Sequence, residues 1–181
     1  MMLKLKNPML LLGIIFLLVS CEKKKPVSEN IKNAKQFFNQ LTEDNEIWIY
    51  KPGNSTVHFE NFIMKFKMQG RDTLIGRISG VHINGDTIPF WNVKEIIDYS
   101  NDRVLFEQSG SMGKAKSIST FPKPTVRKAE FEINYVDGTT QKHRDTHIII
   151  SDNEIRTESE VYKQEDNEWV KQPQTIWKKV N

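Results

Sequence analysis

The sequence predicts a mainly β protein: an antiparallel up-and-down β-barrel of about 8–10 short strands, led by one N-terminal amphipathic helix. Three observations carry that expectation. One segment has its apolar residues at helical spacing, nearly everything after it alternates with period two, and turn-forming dipeptides break the alternation at short intervals.

The helical segment comes first. Ile31, Ala34, Phe37, Phe38 and Leu41 share a helix face, with Lys32, Lys35, Gln36 and Gln40 between them. Ser28 or Asn30 is placed to cap its start, and the pattern predicts about three turns. The clearest strand follows at 128–136, where Ala129, Phe131, Ile133 and Tyr135 share one face and Lys128, Glu130, Glu132 and Asn134 the other. A strand of this kind buries one side and wets the other. Similar runs lie at 47–50, 57–68, 73–83, 87–93, 104–107, 147–150, 155–161 and 175–180. Parity slips between Phe59 and Phe62 and again across Gly80, which predicts β-bulges. Asn84-Gly85 and Asp137-Gly138 predict two-residue hairpins with positive φ at both central positions. Asn101-Asp102 and Asp152-Asn153 are weaker turn signals. Tight hairpins make consecutive strands antiparallel, and closure is favoured over a two-sheet sandwich because it removes exposed edges.

The N-terminus carries a different message. Lys4 and Lys6 precede an apolar run over 9–19, which ends in Leu18-Val19-Ser20-Cys21. This has the form of an export signal and is shorter than the roughly 18 residues a spanning helix needs. The tetrapeptide resembles a bacterial lipobox. That resemblance implies a lipoprotein signal peptide at 1–20, cut before a lipid-modified Cys21, with acyl chains such as palmitate on the new terminus. A lipid-anchored linker then spans 21–29, and a single domain spans 30–181. Cys21 is the only cysteine, so once acylated it leaves no thiol for a disulfide or a nucleophile. Removing residues 1–20 takes away Lys4 and Lys6 and no acidic residue, leaving 24 basic against 23 acidic groups, a net charge of +1. Such a balance gives no reason to expect a nucleic-acid partner. The expected partner is a membrane, reached through the lipid on Cys21, with Lys23, Lys24 and Lys25 beside it. Glu22 stands where an inner-membrane retention signal would carry Asp, so the resemblance implies the outer membrane of the cell envelope.

Chemistry-bearing motifs are sparse. His143 and His147 share a strand face, about 13 Å apart at strand rise, too far to hold one metal. His58 and His82 stand alone in sequence, and no metal site is expected. Ser109 to Lys114 has the glycines of a phosphate loop at the wrong spacing and reads as a flexible loop between strands. Arg156, Glu158, Glu160 and Tyr162 share one face of a strand, read as wet and outward. No catalytic residue and no cofactor is expected. Asp72-Thr73-Leu74 and Asp86-Thr87-Ile88 fit a short bacterial O-glycosylation pattern, which makes Thr73 and Thr87 candidates. Asn54-Ser55-Thr56 fits an N-glycosylation sequon, an unusual modification in a bacterium.

Phe59, Phe62, Phe66, Phe90, Phe106 and Phe131 are spread over the strands, with Trp48, Trp91, Trp169 and Trp177 near strand or turn positions, and most are core. A barrel of eight or more strands can still keep an interior cavity for a small ligand. Phe66, Phe106, Phe131, Ile133 and Tyr135 are the candidate barrel-lining residues. With the lipobox, the leading helix bearing Phe37 and Phe38, Trp48 on the first strand, and a C-terminal hairpin with Trp169 and Trp177, the chain resembles lipocalin-like (calycin) bacterial lipoproteins. The resemblance implies a membrane-anchored barrel that binds a small, mostly apolar ligand. The alternative is an interaction or accessory protein of the envelope with a filled barrel. A third reading, a hydrolase or isomerase, would need at least two convergent polar groups inside the barrel, with Glu158, Glu160, His143 and Arg156 the first candidates. Haem barrels of the nitrobindin kind use a late histidine, and none follows His147.

Overall fold

The computed structural model describes residues 26–42, 47–53 and 59–180. Cys21, the signal segment, His58 and the Asn54 sequon lie outside the described residues. Helix α1 (Glu29–Thr42) precedes β1 (Ile47–Tyr50), β2 (Phe59–Gln69), β3 (Thr73–His82), β4 (Thr87–Asp98) and β5 (Arg103–Gly110). Then come β6 (Gly113–Lys123), β7 (Val126–Tyr135), β8 (Thr140–Ser151), β9 (Glu154–Lys163), β10 (Glu168–Lys171) and β11 (Thr175–Val180). From β1 to β9 each strand pairs antiparallel with the next, and β11 closes the ring between β9 and β1. β10 pairs with residues 160–163 of β9 and β11 with residues 154–157, so the two fill one position in a closed ten-strand barrel. Pro173, which has no N–H to donate, sits in the break between them. The architecture is consistent with a lipocalin- or calycin-like fold.

The helix plugs one end. Ser28 Oγ accepts from the Ile31 N–H at 3.3 Å, which makes Ser28 the cap. Asn30 is used otherwise: its Oδ1 accepts from the Phe121 N–H at 2.7 Å, while Asn33 Nδ2 donates to the Phe121 carbonyl at 2.9 Å. Two asparagines one helical turn apart thus grip both backbone groups of one β6 residue. The apolar face of α1 is buried with Trp48, Met64, Leu74, Ile97, Val104, Phe121, Ile155 and Trp177, which come from eight strands around the ring. The helix packs chiefly on β6, β2, β5 and β7, and the cluster continues from there to the other strands. Phe37 and Phe38 meet the Phe121 ring edge-on at 5.4 and 5.7 Å. Lys35 faces Asp72 at 3.7 Å, and Gln40 donates to the Pro124 carbonyl at 3.2 Å, fixing the helix against turns at that end. Among the described residues, the buried apolar side chains run from Ile31 to Trp177 and gather inside the barrel and under the helix.

Several local expectations are revised. At both Gly85 (φ 89°) and Gly138 (φ 86°) the loop has three residues, with the glycine alone at positive φ and the preceding Asn or Asp not. The bond pairs are Gly85 N–H to His82 O with His82 N–H to Asp86 O, and Gly138 N–H to Tyr135 O with Tyr135 N–H to Thr139 O. This is a type I turn closed by a glycine bulge. Asn84 Oδ1 accepts from the Asp86 N–H at 3.1 Å and holds the turn in that form. The segment Ser109 to Lys114 is a tight hairpin between β5 and β6 instead of a flexible loop. The predicted bulges are present, with register shifts at Phe59/Asn61 and at Ile78/Ser79.

Candidate functional site

The end opposite the helix is the mouth, ringed by the turns at 83–86, 111–112, 136–139 and 164–167. A cavity of about 400 Å³ opens there, lined by Tyr50, Phe59, Phe62, Ile78, Phe90, Trp91, Met112, Thr175 and Trp177. Six of the nine lining residues are aromatic, and none is acidic, basic or a histidine. The volume lies within the usual range of small-molecule sites.

The bulges aim these rings. In the β3–β4 ladder Ile78 pairs with Trp91 and Ser79 with Pro89, so Phe90 is the extra residue that tips inward over the mouth. Gly80 makes room for it: a Cβ there would stand 2.6 Å from both the Phe59 and Phe90 rings. Phe59 meets Phe62 at 5.5 Å and Phe90 at 5.1 Å between ring centroids, and Tyr50 meets Trp177 at 5.8 Å. Trp177 donates its indole N–H to Thr157 Oγ1 at 3.2 Å, which satisfies its polar edge and presents the ring to the cavity. Met112, Ile83 and Val136 sit in three of the mouth turns and are 45%, 77% and 78% exposed, an apolar rim on turns that are normally polar.

Below the mouth the barrel is packed. Phe106, Ala115, Ala129, Phe131 and Ile133 form a second buried cluster, with Trp91, Val93 and Tyr135 against it. Of the candidate lining residues, Phe106, Phe131, Ile133 and Tyr135 therefore meet in one place, and Phe66 packs on the helix-side core. The mouth cavity is lined by other residues.

A polar group is enclosed in the same interior. Arg127 Nε donates to Glu95 Oε1 at 2.6 Å, Ser119 Oγ donates to the same oxygen at 3.0 Å, and the guanidinium lies 4.5 Å from the Phe106 ring centre. Burial pushes the Glu95 carboxyl up, against the opposing pull of Arg127 and Ser119. His147 is the cross-strand partner of Arg127, and burial, aided by that positive charge, pushes its imidazole down to about 3. His143 is lowered by burial as well and stacks on Phe131 at 5.7 Å. Sequence reasoning missed Glu95 and Arg127, whose partnership joins β4 to β7 and has no local signal.

A second concavity, about 1020 Å³, crosses the outer wall of β6 to β9. The β6–β7 ladder opens there over residues 115–118, where Ser117 Oγ donates to the Glu130 carbonyl. Its side chains alternate in sign and pair locally, as in Arg144 with Glu130 at 2.8 Å, Arg144 also lying 3.9 Å from the Trp169 ring centre. A ligand there would have to displace solvated, mutually paired charges, so the mouth is the better binding site. Glu158 and Glu160 line this outer groove and Arg156 pairs with Glu158 at 3.0 Å, whereas His143 stacks on Phe131 of the interior cluster. These four residues form no single constellation. No protein family and no curated protein matches this chain.

Proposed function

We propose that this is a lipid-anchored envelope protein that binds a small, mostly apolar molecule in the mouth of its barrel. The aromatic cavity of about 400 Å³ carries the reading. Its lining offers apolar area and ring faces, with the Tyr50 and Thr175 hydroxyls as the polar groups able to orient a ligand. Without an acid, base or histidine on its walls the cavity is suited to binding, and we assign it no catalytic step. The lipobox resemblance at 18–21 supports anchoring through Cys21 in the outer membrane, facing either the periplasm or the exterior.

Native mass spectrometry of the chain from Glu22 onward, purified from its own host, tests the proposal. A reproducible added mass that vanishes on denaturation is the expected result. A clean apo mass would overturn ligand carriage. It would favour the alternative of an accessory protein that docks a partner through the exposed rim of Ile83, Met112 and Val136.

A further inference from the structure

Resting on that binding reading, we propose that the mouth cavity selects an organic cation: a quaternary or protonated amine attached to an apolar body. Two independent features point the same way. The cavity wall presents the rings of Tyr50, Phe59, Phe62, Phe90, Trp91 and Trp177, whose negative faces attract a cation and repel an anion. The ionisable groups in the four mouth turns are all acidic: Asp86, Asp137, Glu165 and Asp166. Two of these turns are tied directly to the cavity wall. The backbone of Asp86 bonds His82 at 2.8 Å, and the His82 ring lies 4.4 Å from that of Phe59. The Val136 N–H, beside Asp137, donates to the carbonyl of cavity-lining Met112 at 3.0 Å. Hydrogen bonds from the Thr139 hydroxyl and N–H hold the Asp137 carboxyl below the usual range, so it is charged at neutral pH.

The basic groups nearby cancel this field only in part. Lys163 pairs with Asp166 at 3.8 Å and offsets its charge, which leaves Asp86, Asp137 and Glu165. Lys114 alternates with inward Ala115 and points to the outside; Lys51 stands exposed after Tyr50. The protein uses the same chemistry on itself, with Arg144 over Trp169 at 3.9 Å and Arg127 over Phe106 at 4.5 Å. A cation entering the mouth would meet negative potential first and ring faces next, while its apolar body would replace water against Ile78 and Met112.

The test uses three probes of matching shape and different charge: benzyltrimethylammonium, its uncharged carbon isostere neopentylbenzene, and phenylmethanesulfonate. Each is titrated into the chain from Glu22 onward, with the fluorescence of Trp91 and Trp177 as readout. The cation is expected to bind about 3- to 30-fold more tightly than the neutral isostere, and the sulfonate more weakly than both. Asp86→Asn with Asp137→Asn should cut the preference about 2- to 3-fold and flatten its salt dependence, leaving the neutral probe unchanged. Equal binding of all three probes would overturn cation selection and leave the apolar cavity standing. If none binds, both readings fail.

Discussion

The Glu95–Arg127 pair sets how the interior responds to change. Glu95 Oε2 and Arg127 Nη2 find no partner among the described residues, so the pair holds itself together with little help. Removing one member strands the other charge. Arg127→Met is expected to cost about 3–5 kcal/mol in urea unfolding, and Glu95→Leu combined with Arg127→Met to regain most of that loss. A single variant as stable as the parent would show that the charges are not paired in solution. The histidines give a pH signature. Folding holds His147 and His143 below their ordinary value of 6.5, so the unfolded chain binds more protons as pH falls. The stability linked to this is fully present above about pH 6.5 and is lost on acidification. His147 keeps part of its surface in water, which limits the loss to about 1–2 kcal/mol by pH 5. Thermal melts should show this fall, and His147→Gln should flatten it. These residues were hard to read in the sequence. Glu95 occupies an inward slot between Val93 and Ile97, where a carboxylate breaks the apolar alternation and hides the second half of its strand. Its partner lies far along the chain.

At the scale of single elements, legibility follows the size of the buried side chains. Helix α1 was visible because Phe37, Phe38 and Leu41 repeat at its period, and β7 because Phe131, Ile133 and Tyr135 alternate with charges. β6 buries only the small Ala115 and Ser119 along most of its length, with Phe121 as a single large buried group near its end. It therefore leaves little hydrophobic alternation and was missed although it carries the helix dock. That dock is testable. Asn33→Ala leaves the Phe121 carbonyl without its donor in a buried site and should cost about 1–3 kcal/mol. Since Asn30 still holds the Phe121 N–H, hydrogen exchange should report faster opening of the helix with the strands intact. The mouth turns are equally specific. Gly138→Ala forces a side chain onto a backbone at φ 86° and should cost about 1–2 kcal/mol, read as a lower melting temperature. The same change at Gly53, where an added Cβ meets nothing within 4 Å among the described residues and φ is not positive, should be nearly silent.

Over the whole molecule, fold class, closure and the leading helix were all legible, because binary pattern and turn spacing are properties of the chain at large. Which end stays open was not, since that depends on where the helix docks. The mouth site was legible only as a set of scattered aromatics; the register shifts that gather Phe59, Phe62 and Phe90 appeared in the sequence as slips of parity. Anchoring is tested at this scale. Cys21→Ser is expected to abolish incorporation of labelled palmitate and move the protein from the membrane to the soluble fraction. Continued labelling would place the acyl chains elsewhere.

Closure by β11 has a temporal consequence. Ile47 on the first strand pairs with Val180 on the last, and β9 receives its neighbour from the same late segment. Until residues 175–180 have emerged, a growing chain exposes two unpaired sheet edges, and the slow step in its maturation is a long-range closure. Such a chain is best kept extended until its synthesis is done, because an early fold would leave those edges free to pair with other chains.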